Sequence, residues 1–72
     1  MTLEQIITKE KARRSEEGLF GITECKASIR FDAAYSHESL YQLLEKYVQR
    51  ANEDAFFNEA MVLACWELIN EE

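Results

Sequence analysis

Residues 60–66, Ala60-Met61-Val62-Leu63-Ala64-Cys65-Trp66, form an unbroken apolar run inside a segment, 53–70, that holds neither glycine nor proline. At 3.6 residues per turn only one stripe of such a helix stays polar, through Glu59, Glu67 and Asn70, and Leu63 interrupts it. A helix apolar around most of its circumference must be covered on several sides, so this segment is core or interface. Its side chains, at about 1.5–3 kcal/mol each when fully buried, dominate the energetics of a short chain. The other segments can therefore be read as what covers this helix.

The chain has 72 residues, one domain over 1–72, near the lower size at which a single hydrophobic core suffices. Proline is absent and only two glycines occur, which disfavours a turn-rich all-β fold. The expected fold is mainly α, with three helices at about 2–17, 36–51 and 53–70. The last two form a C-terminal helical hairpin.

The first helix opens on a capping box, Thr2 with Gln5 three residues later, and Met1 is placed to staple onto Ile6. Leu3, Ile6 and Ile7 give it a short apolar face. From Lys9 to Glu17 it reads as polar and projecting, supported by a Glu10–Arg14 pair and ended by Gly18. The second helix is expected to start at Ser36 as cap, with Glu38 in its first turn and Tyr35 stapling onto Leu40. Leu40, Leu43, Leu44, Tyr47, Val48 and Ala51 follow the i, i+3, i+4, i+7 template. Asp54 and Asn58 break that stripe, and Asn52 followed by two acids reads as a fresh N-terminus, so a sharp bend is expected around Ala51 and Asn52.

Residues 22–31 carry two readings. As a strand, Cys25, Ala27, Ile29 and Phe31 share one face and Glu24, Lys26, Ser28 and Arg30 the other. The alternation favours a single strand or short hairpin. A lone strand, however, leaves backbone groups unpaired. The alternative is an all-α fold with a fourth helix at 23–34, aligning Ile22, Cys25 and Ile29.

The formal net charge of −6 is uneven. Residues 1–31 hold six basic and five acidic side chains, whereas 32–72 hold Lys46 and Arg50 against nine acids. Cys25 and Cys65 form neither a CxxC pair nor a disulfide framework, and no signal pattern or membrane-length apolar run occurs. These features lead to the expectation of a cytoplasmic protein with reduced thiols and no membrane association.

Catalytic, cofactor and metal constellations are not found. His37 is the single histidine, and a zinc-protease reading of His37-Glu38 would need a second histidine where Tyr41 stands. Neither glycine belongs to a phosphate loop. Neighbouring acids such as Glu16-Glu17 and Glu53-Asp54 diverge by about 100° on a helix and cannot share a substrate. A non-enzymatic protein without cofactors is expected.

Two binding surfaces can be named. Phe56, Phe57, Met61 and Trp66 are the large side chains of the last helix, the types enriched at interface centres. With so little chain to cover them, a homodimer packing these helices across a two-fold axis is expected. Lys9, Lys11, Arg13 and Arg14 form the second surface, a patch for a protein partner or, as the lesser reading, for nucleic acid. The acids offer a further alternative, a nucleic-acid mimic in which Glu38 and Glu45 lie seven apart and Glu53, Asp54, Glu59 and Glu67 extend the array. In size, acidity and lack of catalytic residues the chain is similar in type to small accessory proteins of bacteria and their phages. The function expected is a protein-interaction or regulatory module that occludes a partner's surface, with the acids steering encounter.

Overall fold

The computed structural model describes residues 1–17 and 21–71, and the side chains of all of these except 14–17. Four helices make up the described chain: α1 (Leu3–Glu17), α2 (Ile22–Ser36), α3 (Leu40–Glu53) and α4 (Ala60–Glu71). No strand occurs among the described residues.

The apolar run is α4, and it is surrounded. Val62, Leu63, Ala64 and Cys65, four successive residues that point to every side of a helical turn, are all 0 % exposed. α1, α2 and α3 each pack on α4, and α2 also touches α3. The covering is thus done by three helices of the same chain. The reason given above for self-association through this helix, too little chain to wrap it, does not hold.

The strand expected at 22–31 is a helix, as in the all-α alternative. Ile22, Cys25 and Ile29 are buried at i, i+3 and i+7, with Ala33 half-buried beyond them. Phe31, placed by the alternation on the same face as Ile29, is 69 % exposed. The helix closes its backbone hydrogen bonds within the segment, beginning with Cys25 N–H to Gly21 C=O at 3.0 Å, which a strand without a neighbour could not do. Gly21 sits at φ +92°, a left-handed conformation that lets the chain enter α2.

Two boundaries also differ from expectation. Ser36 does not cap α3; its hydroxyl donates to Asp32 C=O at 2.7 Å and finishes α2, and His37 ends that helix in a left-handed conformation at φ 60°. The cap is Ser39, whose hydroxyl accepts from Gln42 N–H at 3.1 Å while Gln42 Oε1 accepts from Ser39 N–H at 2.8 Å. This reciprocal box satisfies two donors, which Ser36 could not match. Tyr35 is therefore exposed and staples nothing, and Glu38 lies in the connection, where it meets Lys46 at 3.7 Å.

The bend at Ala51 and Asn52 is absent as well. α3 runs on to Glu53, and Asp54 N–H still reaches Arg50 C=O at 2.8 Å. Asn52 turns back to donate to Val48 C=O and Met1 C=O at 2.9 and 2.8 Å. The chain reverses through residues 54–59, where Asp54 Oδ1 accepts from Phe56 N–H and Asn58 Oδ1 from Ala60 N–H, at 2.9 and 3.1 Å. Helix 53–70 is thus α4 from Ala60, and Phe56 and Phe57 belong to the turn before it.

α1 begins with the Thr2–Gln5 capping box at 2.8 and 3.2 Å. Its inner face is longer than its apolar residues suggest, because Glu10 is only 2 % exposed and joins Ile6 and Ile7 inside. A helix polar and projecting from Lys9 onward is not what forms: Arg13 donates through Nε to Glu10 Oε1 at 3.1 Å, and this pairing lets the third turn dock. The Glu10–Arg14 pair and the Gly18 terminus lie outside the described residues.

Candidate functional site: a groove between α1 and α3

The four aromatic and sulfur side chains expected at an interface differ in exposure and in what they touch. Phe56 stands 97 % exposed on the turn. Phe57 is half-buried against Tyr47, ring centroids 5.9 Å apart, with the Arg50 guanidinium 4.8 Å from its ring. Met61 packs partly buried on the core, and Trp66 lies under the Lys11 ammonium at 4.6 Å. Three of the four are engaged within the monomer.

The basic patch is spent in the same way. Lys9 pairs with Glu59 at 3.2 Å, Lys11 covers Trp66 and Arg13 holds Glu10; the side chain of Arg14 is outside the described set. Beyond α1, Lys26 bridges Glu67 and Glu71 at 3.2 and 2.6 Å, Arg30 faces Glu71 at 3.9 Å, and Lys46 and Arg50 face Glu38 and Phe57. Every described cation has an intramolecular partner. A phosphate backbone would have to compete with each of those contacts, so the nucleic-acid reading gains nothing from the geometry. The acidic array is thinned too, since Glu38, Glu59 and Glu67 meet lysines and Glu53 accepts from Gln49 Nε2 at 3.1 Å. Glu45 has no ion-pair or hydrogen-bond partner among the described residues.

The thiols are packing groups. Burial pushes Cys65 up to about 11, and its Sγ–H donates to Leu40 C=O at 3.3 Å. Cys25 is raised as well, by burial first and then by the Glu24 carboxylate. Both are thiols rather than thiolates at neutral pH, the unreactive form. The Tyr47 hydroxyl donates to Asp32 Oδ2 at 3.1 Å and is raised by burial and then by that bond, which ties α3 to α2. Among the described residues no group of three His, Cys, Asp or Glu could hold a metal ion, and no helix is long and apolar enough to cross a membrane.

Beside the exposed, stacked Phe31 and Tyr35 of α2 and Phe56 on the turn, the fold leaves an apolar arc open on α3. Leu43 and Tyr47 are buried and mark the side facing α4. Measured around the helix from that direction, Leu44, Val48 and Tyr41 stand at about 80°, 120° and 140°, too far to reach α4 fully. α1 and α3 both pack on α4 but hardly on each other. An open groove of about 820 Å³ runs along α3, lined by Tyr41, Leu44 and Val48 with their polar neighbours and touched from α1 by Leu3 alone. Leu44 and Val48 are half-buried and Tyr41 is 68 % exposed. Glu45 and Gln49 form the outer rim, and Asn52, holding the Met1 amine and carbonyl, joins the walls where α1 begins. The signal for this site was present in the sequence as an apolar arc on α3 wider than one neighbour requires, and reading it all as core face concealed it.

Comparison with models of known protein families, with curated proteins and with solved structures gives no match.

Proposed function

We propose that this protein is a non-enzymatic docking module that binds another protein in the α1–α3 groove and acts by occluding the surface it covers. The observation carrying the proposal is the half-open apolar wall Tyr41, Leu44 and Val48 on α3, facing Leu3 on α1 with no described residue between them. A contiguous apolar surface rimmed by polar residues is what a protein-binding site requires. Committing the cations internally leaves a net acidic field over the molecule, which speeds encounter with a basic partner. The interface role thus moves from Phe56, Phe57, Met61 and Trp66 to α3.

Tyr41→Glu tests this, because the side chain is mostly exposed and the change spares the core. Tagged wild type and variant are used to capture protein from native lysate, with thermal melts run alongside. A specific protein retained by the wild type and lost from an equally stable variant supports the proposal. Capture unaffected by the variant sinks it. Light scattering on the gel-filtration peak tests the homodimer separately, and a dimer that Tyr41→Glu converts to monomer makes a second copy the occupant.

A further inference from the structure

We infer that the groove is built for an amphipathic helix of a partner protein whose polar flank is basic, rather than for a second copy of this chain. The inference rests on the docking role proposed above and names its occupant.

The first reason is shape. α1 and α3 lie against a common helix with a gap between them, so an incoming helix can seat its ridge in that gap. The apolar wall from Tyr41 to Val48 spans about 10 Å along α3, two turns, at 1.5 Å per residue. Such a wall reads side chains at i, i+3 or i+4, and i+7 of its ligand.

Charge is the second reason. Next to the apolar wall, α3 carries the row Gln42, Glu45, Gln49 and Glu53, preceded by Glu38 in the connection, and this row contains no cation. Lys46, the one cation lining the groove, has its ammonium on Glu38. A ligand flank lying along this row meets its carboxylates, and Glu45, which pairs with none of the described residues, stands in the middle.

The third reason disfavours a second copy packed antiparallel. Two α3 helices packed antiparallel about a two-fold axis set each flank against the same flank of the mate. The acidic row would then face itself, adding local repulsion to the meeting of two chains of charge −6. A basic helix meets the same surface with attraction.

The test uses two synthetic helix-forming peptides with leucine at i, i+3, i+4 and i+7, one flanked by lysine and one by glutamate. Each is titrated into ¹⁵N-labelled protein at low and at physiological salt. The lysine peptide is expected to shift the amides of Leu3, Leu44 and Val48, and to bind at least tenfold tighter than the glutamate peptide at low salt. The advantage should shrink as salt rises. Glu45→Lys is expected to weaken the lysine peptide severalfold and strengthen the glutamate peptide, while Glu24→Lys on α2 changes neither. Equal loss from Glu24→Lys, or shifts outside the groove, overturns the inference by showing non-specific attraction. Equal binding of both peptides in the groove overturns the basic occupant and leaves the docking role standing. A dimer whose interface maps to α3 does the same in favour of a second copy. Failure of both peptides, together with capture insensitive to Tyr41→Glu, overturns the docking role as well.

Discussion

Replacing Glu10 by leucine should stabilise this protein. The carboxylate is 2 % exposed, and taking such a group out of water costs several kcal/mol before any partner is counted. Its partner is Arg13, whose side chain is 44 % exposed. A guanidinium that wet interacts through a largely screened field, so the pair returns on the order of 1 kcal/mol or less. In the variant Arg13 turns into water without stranding a buried charge. A leucine in the vacated site joins Ile6 and Ile7 and adds apolar burial of about 1.5–2 kcal/mol, less what imperfect packing takes back.

The expected net gain is about 1–2 kcal/mol. For a domain of this size that corresponds to about 4–15 °C in Tm, and at a urea m-value near 1 kcal/mol/M to a midpoint about 1–2 M higher. Glu10→Ala, which removes the charge but leaves a hole, should fall about 2–3 kcal/mol below Glu10→Leu. Arg13→Ala should destabilise by about 1 kcal/mol or less, because it removes only the screened attraction to a carboxylate whose burial already costs the wild type. Urea unfolding followed by circular dichroism measures all three. A Glu10→Leu midpoint below wild type by the equivalent of 1 kcal/mol would refute the reasoning and make the ion pair a net source of stability.

Three further outcomes follow from the geometry. The folded Cys65 thiol is held near 11 against an unfolded value near 9, so between these values the unfolded state binds fewer protons and stability falls as pH rises, by about 2–3 kcal/mol at pH 11. Cys65→Val should flatten the alkaline limb of urea midpoints between pH 9 and 11; an unchanged slope would assign the loss to other groups. Ser39→Ala should cost about 1 kcal/mol by removing the α3 capping box, whereas Ser36→Ala should stay within about 0.5 kcal/mol, and thermal melts of the two variants decide which serine caps. Phe56→Ser should leave the melting curve unchanged, since the ring touches almost nothing, while Tyr47→Phe should lower stability by about 1–2 kcal/mol through loss of the bond to Asp32.

α4 was legible because seven adjacent apolar residues leave a helix no polar side to expose. α3 was legible because large side chains recur at its period without interruption. α2 was obscured by its small residues. Ala27 counted as half of an alternating pattern, yet in the structure it is exposed, and so little apolar area on alanine or serine carries no information about facing. Glu10 could not be found by pattern at all, since a charged residue among Lys9, Lys11 and Arg13 reads as surface; only the docking of α1 on α4 buries it. The caps were ambiguous in a different way. Ser36 and Ser39 are equally good acceptors, and Gln42 decides between them by closing the reciprocal bond. Asn52 and Asn58 each stand ahead of acids or alanine, and the winner is fixed by how far the α3 ladder runs, since Asp54 N–H still finds Arg50 C=O.

The reading of 22–31 decides where function can lie. With a strand there, two helices would face an α4 that is apolar all round, and α4 itself would have to meet a second copy. With a helix there, Ile22, Cys25 and Ile29 take that place, Lys26 reaches over to Glu67 and Glu71, and of the α4 apolar side chains only Met61, Trp66 and Ile69 stay partly exposed. Open apolar surface then remains on α2 at Phe31 and Tyr35 and on a covering helix with a wide apolar arc and a missing neighbour. α3 meets both conditions: α2 and α4 occupy one side of it, and α1 stands off on the other. The same packing draws the cations inward onto carboxylates and rings, so the row that borders the groove is left acidic. Apolar wall and acidic rim are thus two consequences of one arrangement, and a ligand for this surface must answer both.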